Sequence, residues 1–298
     1  MSLKRHGKRL SGGSGRGRSS NSTNSLRTYR WRYKLSDKPR VLVLLAAGIN
    51  RDQDTETAFR MVGADAERVH INDIVDGRRR LKDYHILMLP GGFSFGDDIA
   101  SGKVLANKLK YKLKDELLEF IADKKLVLGV CNGFQVMVKL GILPGFDGNY
   151  MRQDVTLTHN DFGKFEDRWV YLKVNPKSRC IFTRGIEKPV YVPVCHGEGK
   201  FIPRDHDVLT QLQDNDQVVV QYVDANGEFG AYPVNPNGSV AHIAGICDET
   251  GRIFGMMPHP ENYIVRTQHP RWTRTELPDE GDGLIIFRNA VEYVEREL

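Results

Sequence analysis

The sequence predicts an α/β protein built around a doubly wound, mostly parallel sheet. Near-continuous aliphatic runs at residues 40–48, 85–89 and 126–130 are typical of strands buried on both faces of a parallel sheet. Segments of helical character separate these runs, and strands that alternate with helices indicate βαβ units.

Glycine and proline mark the ends of the elements in the first half of the chain. The run that begins at residue 40 ends at Gly48, the run at 85–89 stops at Pro90, and a helical stretch stops at Gly141. The predicted strands are 40–48, 68–71, 85–89 and 126–130, and the predicted helices are 54–62, 102–123 and 132–140.

Beyond Pro144 the predicted strands are short and are separated by turn residues such as NPNG at 235–238. They lie at 156–157, 169–174, 190–194, 217–223 and 240–246, before a core strand at 253–257 and a closing helix at 283–296. We therefore expect a flavodoxin-like, doubly wound sheet with mixed or antiparallel additions in the second half. One domain over residues 37–298 fits this pattern better than two.

The composition is that of an ordinary globular protein, with 40% hydrophobic and 27% charged residues in a chain of 298. No run approaches 18 apolar residues, so we expect no membrane span. The four cysteines are dispersed without a C-x-x-C pair. This favours reduced thiols and a cytoplasmic location, and it gives a metal site little support.

The net charge of +5 is unevenly placed, because the first 40 residues hold twelve Lys/Arg and one acid. Residues 1–36 are rich in Gly, Ser, Arg and Lys without an apolar period, which predicts a disordered basic tail. Three interpretations stay open: a dispensable extension, a polybasic segment that binds nucleic acid or acidic surfaces, and an organelle transit peptide.

Cys131 lies where a predicted strand turns into a helix, within GVCNG at residues 129–133. Ligands of open α/β folds bind at the carboxyl edge of the sheet, and a helix N-terminus favours the reactive thiolate. Gly129 and Gly133 permit the tight turn of a nucleophile elbow. The alternative is a small buried residue at a tight turn.

A base and its orienting group are available in MPHPE at residues 257–261. In an extended backbone, residues two apart point to the same side, so Glu261 can fix the tautomer of His259. Taken alone, a surface histidine beside a glutamate is the commoner explanation. Together with Cys131, the pair predicts a catalytic triad.

A glycine-rich stretch, PGGFSFGDD at residues 90–98, follows another buried strand. Such backbone can direct N–H groups at an oxyanion, and we expect the amides of Gly92 and Asn132 to be the donors. A plain turn is the alternative, and no phosphate-binding fingerprint is present. Cys195 and His196 are adjacent on a strand and so point to opposite faces, which makes a dyad poor geometry.

Four motifs in this order resemble class I (triad) glutamine amidotransferases. They are PGGFSFGDD at 90–98, GVCNGFQ at 129–135, HGEGKF at 196–201 and MMPHPE at 256–261. Within that class the chain resembles the glutaminase subunits of phosphoribosylformylglycinamidine synthase, which also share NPNGS at 235–239 and IAGICDETGR at 243–252. The resemblance runs from about residue 39 to the end.

The resemblance implies roles for single residues. Cys131 is the nucleophile that forms a glutamyl thioester, His259 the base and Glu261 its orienter. The amino-acid end of glutamine is implied to bind at four further positions, Gln135, Gly197, Glu198 and Gly199.

The resemblance also implies partners. Ammonia passes to a synthetase subunit that aminates formylglycinamide ribonucleotide, and in some organisms a small third protein joins the complex. No cofactor is expected in this chain, because ATP and Mg²⁺ belong to the synthetase. Outside the basic tail we expect no nucleic-acid partner.

Two alternatives come from other functional classes. One is a non-catalytic regulatory or scaffold subunit of the same fold, which an intact triad argues against. The other is a cysteine hydrolase or chaperone of related fold, which would need neither residues 196–201 nor 235–252. The segment 267–280 and the basic tail depart from the family pattern, and the segment is expected to alter partner docking.

Overall fold

The protein centres on a nine-stranded sheet, seen in a computed structural model that describes residues 38–298. The strand order is β2-β1-β3-β4-β11-β10-β9-β6-β7, and β5 and β8 form a separate pair. The predictions for residues 1–36 lie outside the described part. The strands are β1 (Arg40–Leu45), β2 (Asp65–His70), β3 (Ile86–Leu89), β4 (Leu126–Val130), β5 (Val155–Thr158), β6 (Glu166–Val174), β7 (Val190–His196), β8 (Lys200–Pro203), β9 (Val218–Val223), β10 (Ile243–Cys247) and β11 (Ile253–Met256).

Five neighbouring strands form the parallel half of this sheet. β2, β1, β3, β4 and β11 all run in the same direction. Every residue of β3, β4 and β11 is buried, as the continuous aliphatic runs predict for strands covered on both faces. The prediction of a mostly parallel core is confirmed.

The helices are α1 (Asp52–Met61), α2 (Ile71–Val75), α3 (Lys103–Lys112), α4 (Lys114–Ala122), α5 (Asn132–Leu140), α6 (His206–Asp214) and α7 (Leu284–Glu297). From β1 the sheet grows in one direction to β2 and in the other to β3 and β4. Right-handed crossovers therefore place the connecting helices on opposite faces. Phe59 of α1 packs edge-on against Phe287 of α7, with ring centroids 5.0 Å apart.

The single long helix predicted at 102–123 is wrong, because the chain breaks at Leu113 into α3 and α4. Leu113 is buried and has a non-helical backbone, with φ −132° and ψ 16°. Lys110 and Lys112 lie in the last turn of α3, and Asp115 lies in the first turn of α4. Each charge favours the helix end it occupies, so the sequence marks two helix ends here.

The second half adds antiparallel strands, as predicted. β10 pairs antiparallel with both β11 and β9, and β6 lies antiparallel between β9 and β7. The predicted strand at 240–246 is shorter than expected, because Ala241 and His242 have positive φ angles of 49° and 58°. A short 3₁₀ turn therefore precedes β10, which begins at Ile243. The sequence reasoning missed α6 and β8.

The position of the site follows from three neighbouring strands, β3, β4 and β11. They are parallel, so their carboxyl ends meet at one edge of the sheet. The PGG loop follows β3, Cys131 follows β4, and His259 follows β11. Within residues 38–298, no helix is both long enough and apolar enough to cross a membrane.

Candidate active site

Cys131 occupies a strained turn between β4 and α5. Its backbone has φ 50° and ψ −107°, a region that costs a non-glycine residue about 1–3 kcal/mol. Two backbone hydrogen bonds hold the turn: the Cys131 amide donates to the Met256 carbonyl at 2.8 Å, and the Gln135 amide donates to the Cys131 carbonyl at 3.0 Å. The cysteine therefore lies on a nucleophile elbow, as the sequence predicts.

Close backbone approach explains the glycines of the elbow. A Cβ atom at Gly133 would lie 1.9 Å from the Leu89 carbonyl oxygen, and one at Gly129 would lie 2.2 Å from the sulfur of Met137. Real side chains do not fit at these distances. The elbow is consequently packed directly against β3 and its own helix.

His259 and Glu261 form a buried pair beside the elbow. His259 Nδ1 lies 2.6 Å from Glu261 Oε1, and the two side chains are 2% and 0% exposed. The sequence predicts an extended backbone at 257–261, but the structure differs from this prediction. β11 ends at Met256, His259 is extended, and residues Pro260–Asn262 form a 3₁₀ turn that brings Glu261 back to the imidazole.

The charge of His259 depends on its two neighbours. Burial lowers the pKa of the imidazole, but the Glu261 carboxylate and Cys131 outweigh this effect and raise it well above its ordinary value. The other ring nitrogen, Nε2, is buried and has no hydrogen-bond partner among the described residues. The imidazole with the raised pKa thus lies next to the nucleophile, where it can serve as an acid and a base.

The PGG loop packs directly on this base. A Cβ atom at Gly91 would lie 2.7 Å from His259 Cε1, so only glycine leaves room for the ring. Gly92 has φ 144° and lines the cavity above Cys131. Within residues 38–298, neither the Gly92 amide nor the Asn132 amide donates a backbone hydrogen bond. Both amides are therefore free to serve as the predicted oxyanion donors.

A cavity of about 170 Å³ opens over the thiol. Its walls come from the loop after β3, from α5, and from the segment around the end of β7. The lining residues are Gly92, Phe93, Asp97, Ser101, Cys131, Gln135, His159, Phe165, Cys195, His196, Gly197 and Glu198. Three of the four predicted substrate-binding residues, Gln135, Gly197 and Glu198, are among them.

Gly199 is the exception. Its amide donates to Asn160 Oδ1 at 3.0 Å, and a Cβ atom there would lie 2.2 Å from the His196 ring. Gly199 does not line the cavity. Its N–H is bonded to Asn160, and its Cα packs against the His196 ring. Its lack of a side chain serves the packing of His196.

His196 is not part of a dyad with Cys195, in agreement with the strand geometry. Its Nδ1 lies 3.2 Å from Asn160 Oδ1, and its Nε2 lies 3.4 Å from Asn237 Nδ2. Burial lowers the pKa of His196 to about 3, so the ring is neutral. Cys195 lines the cavity, and its carbonyl oxygen lies 3.7 Å from the Cys131 thiol that donates to it.

Sequence reasoning missed three polar residues next to the cavity. Asp97 and Ser101 follow the PGG loop, and Lys139 lies on α5 with its side chain 7% exposed. For Lys139 a signal exists in the sequence, because it is spaced i+4 from Gln135 and i+8 from Cys131 on one helix. Asp97 lies within the PGGFSFGDD motif, whereas Ser101 carries no comparable signal.

Comparison with known proteins places this geometry in a family. Residues 38–294 match the CobB/CobQ-like glutamine amidotransferase domain. The chain belongs to this glutamine amidotransferase family.

Individual relatives agree on a narrower group within the amidotransferases. The phosphoribosylformylglycinamidine synthase subunit PurQ of Dehalococcoides mccartyi is 47% identical over 86% of this chain and 98% of its own length. The PurQ subunit of Methanococcus maripaludis strain S2 is 45% identical over 86% of this chain and 97% of its own length.

A solved structure shares the fold at similar coverage. A chain in the structure of PurLQS from Thermotoga maritima is 30% identical, with a TM-score of 0.66, and the match covers 86% of this chain and 99% of that one. The amidotransferase family and the parallel core predicted from the sequence are both confirmed.

Proposed function

We propose that this chain is the glutaminase subunit of phosphoribosylformylglycinamidine synthase and that it hydrolyses glutamine through a thioester on Cys131. The observation that carries the proposal is the buried His259–Glu261 pair beside the strained Cys131 elbow. Within residues 38–298, the amides of Gly92, which lines the cavity, and of Asn132, which follows Cys131, donate no backbone hydrogen bond. The PurQ relatives support the choice of synthase.

The first half of the reaction transfers the glutamyl group to sulfur. The Cys131 thiolate attacks the side-chain carbonyl carbon of glutamine, and the oxygen that gains charge accepts hydrogen bonds from the Gly92 and Asn132 amides. The imidazolium of His259 gives its proton to the leaving nitrogen, so ammonia departs and a thioester remains. Glu261 keeps the ring in orientation throughout.

The second half regenerates the thiol. His259, now neutral, takes a proton from water, and the hydroxide formed attacks the thioester carbonyl. The same two amides bind the oxyanion of this step. Collapse of the tetrahedral intermediate releases glutamate and restores the Cys131–His259 pair.

Ammonia leaves for a partner subunit. This synthetase subunit uses ATP to convert formylglycinamide ribonucleotide into formylglycinamidine ribonucleotide in de novo purine biosynthesis, with a small third protein in some complexes. The PurLQS structure supports an assembly of this kind. We expect ATP and Mg²⁺ to bind to the synthetase subunit, residues 37–298 to form the amidotransferase domain, and the reaction to take place in the cytoplasm.

The test is ammonia release from glutamine by the full chain, measured with and without the synthetase subunit. We expect turnover that the partner increases and that Cys131→Ala abolishes. A glutamine analogue with an electrophilic carbon should label Cys131, and Cys195→Ser is the matched control, because both thiols line one cavity. Turnover by Cys131→Ala at the wild-type rate would overturn the proposed mechanism.

The alternative of a non-catalytic scaffold subunit makes the opposite prediction. Such a chain would bind the synthetase but would form no thioester even within the complex. The intact and correctly oriented His259–Glu261 pair favours the catalytic function.

A further inference from the structure

The loop that supplies one of the two oxyanion donors has an unfavourable backbone. It covers residues 91–98 after β3 and contains Gly92, whose amide is the expected donor. Further along this loop, Phe95 and Asp97 both have a φ of 55°, a left-handed conformation that L-residues avoid. Such a loop keeps its shape only where the surrounding structure holds it.

The segment after β1 holds loop 91–98 from one side. The Phe93 amide donates to the Gly48 carbonyl at 2.8 Å, and the Phe95 amide donates to the Ala47 carbonyl at 2.7 Å. These bonds attach the loop to the β1 side of the sheet. They do not set its distance from α5, whose first residue carries the second oxyanion donor.

The side chain of Asn132 holds the loop from the other side. Its Oδ1 accepts a hydrogen bond from the Ser94 amide at 3.2 Å, and its Nδ2 donates to Asp97 Oδ1 at 3.2 Å. Nδ2 also donates to Gln135 Oε1, one turn further along α5, at 3.0 Å. In the part of the chain that the structure describes, the hydrogen bonds between loop 91–98 and α5 all come from this side chain.

The three partners permit one orientation of the Asn132 amide. Oδ1 faces an N–H donor and Nδ2 faces two oxygen atoms, so exchange of O and N would create three repulsive contacts. Gln135 is itself oriented, because its Nε2 donates to the Glu198 carbonyl oxygen at 2.7 Å. Asn132 is 0% exposed, so a partner lost here is not replaced by bulk water. We call this arrangement the Asn132 clamp.

One residue therefore contributes to the oxyanion site in two ways. The backbone amide of Asn132 is one donor, and its side chain holds Ser94, two residues after the Gly92 amide that is the other donor. Both amides must lie about 2.7–3.1 Å from the same oxygen atom. A misplacement of about 1 Å is enough to lower a rate about 100-fold. The clamp joins the two segments whose separation decides this geometry.

We propose that the side chain of Asn132 is a positioning group that keeps the Gly92 and Asn132 amides at the distance the oxyanion requires. The inference rests on the proposed function, because it concerns the step that forms the thioester. It separates two properties of the site. The reactivity of the Cys131 sulfur depends on His259, whereas stabilisation of the oxyanion depends on the clamp.

The experiment uses the full chain in complex with its synthetase subunit and compares two reactions of Cys131. Thioester formation at saturating glutamine, measured by rapid acid quench and mass spectrometry, places charge on an oxygen atom. Alkylation by iodoacetamide, measured on the same peptide, displaces iodide from a saturated carbon and needs no oxyanion donor. The variants Asn132→Leu, which keeps the shape of the side chain, and Asn132→Ala, which cannot clash, both remove the clamp and retain the backbone amide.

Asn175→Leu is the matched control. Asn175 follows β6 and does not line the catalytic cavity. Its Nδ2 donates to Asp216 Oδ1 at 3.1 Å and to the Val218 carbonyl at 3.2 Å, and its Oδ1 accepts from the Lys177 amide at 3.0 Å. The control thus removes a side-chain amide with the same three kinds of hydrogen bond.

We expect both Asn132 variants to form the thioester about 10- to 100-fold more slowly than the wild type. Alkylation of Cys131 should keep its wild-type rate, since the elbow and His259 remain in place. Asn175→Leu should match the wild type in both reactions, with a lower unfolding temperature. If the two Asn132 variants differ, Asn132→Ala decides, because it introduces no new contact.

Thioester formation at the wild-type rate in Asn132→Ala, or an equal change in both reactions, would overturn the clamp. So would a selective loss of thioester formation in Asn175→Leu. Each of these results leaves the proposed function standing, as long as the wild-type complex forms a thioester on Cys131. Failure of the wild-type complex to form that thioester would instead contradict the proposed function itself.

Discussion

The backbone of Cys131 is strained, and neighbouring elements hold it in that conformation. Its φ of 50° lies in the region that L-residues avoid, yet hydrogen bonds to β11 and α5 hold it there. The result is a thiol directed away from the strand at the edge of the sheet. The strain identifies the residue as one whose position is maintained for a purpose other than packing.

Gly91 sets the space available to His259. We expect Gly91→Ala to lower kcat about 10- to 100-fold with the fold retained, because the new methyl group would displace an imidazole that Glu261 holds from the other side. The measurement is steady-state glutaminase activity together with thermal unfolding.

The control for this substitution is Gly77→Ala. Gly77 also has a positive φ, of 74°, but no heavy atom lies within 4 Å of the position of its Cβ. It should lose about 1–2 kcal/mol of stability and no activity. Full activity of Gly91→Ala would contradict the assigned contact with the base.

His196 makes stability depend on pH. Its pKa is about 3 in the folded protein against 6.5 for the ordinary group, so below pH 6.5 the unfolded chain binds a proton that the folded chain does not. The contribution of neutral His196 to the free energy of unfolding is therefore fully present above pH 6.5. It falls by about 1.4 kcal/mol per pH unit as the pH drops from there towards 3.

Urea unfolding at pH 7 and pH 5 measures this effect. We expect His196→Gln to lose less stability between the two values than the wild type does. His206→Gln, which removes an exposed histidine at the start of α6, should lose as much as the wild type. An unchanged pH dependence in His196→Gln would contradict a buried neutral imidazole.

At the scale of elements, the site is a consequence of strand order. β3, β4 and β11 are neighbours, so loops that are far apart in sequence converge on one cavity. Aliphatic runs and glycine breaks predict that each of these strands exists and where it ends. They contain no information on which strand pairs with β4, since that depends on the packing of the whole sheet.

Surface elements were harder to predict than buried strands. α6 is amphipathic and short, with Val208 and Leu212 buried, and its signal is a single Asp205 cap whose side chain accepts from the Val208 amide at 2.9 Å. The break at Leu113 was missed because apolar spacing continues through it. The charge reversal from Lys112 to Asp115 was the better indicator.

His269 anchors the segment 267–280, which follows the catalytic pair in the chain. Its ring lies 5.7 Å from Trp169, 5.6 Å from Tyr191 and 5.5 Å from Tyr263, between centroids. We expect His269→Ala to weaken this anchor by about 1 kcal/mol, through loss of the aromatic contacts.

Limited proteolysis reports on that anchor. Trypsin should cut more rapidly after Arg271 and Arg274, which are both exposed, in His269→Ala than in the wild type or in His206→Ala. Equal cleavage rates would show that the aromatic contacts do not hold the segment.

Across the whole molecule, the site divides into residues that sequence can predict and residues that it cannot. Cys131, His259 and Glu261 stand out because each follows a strand end and carries chemistry. Lys139 is harder to identify, because its spacing from Cys131 and Gln135 becomes notable only once its side chain is seen to be buried and paired with Glu198, which lines the cavity. Gly199 is the opposite case. It lies in the HGEGKF motif, but its lack of a side chain serves packing against the His196 ring.

The central claim is that Cys131 forms a covalent intermediate with glutamine. Mass spectrometry of the full chain with its synthetase subunit, quenched in acid during turnover, tests this most directly. We predict a glutamyl adduct on the peptide that contains Cys131, and we predict that it forms more slowly in Glu261→Gln, because the imidazole that protonates the leaving nitrogen is no longer oriented. Turnover of glutamine with no adduct on Cys131 in either protein would contradict the account.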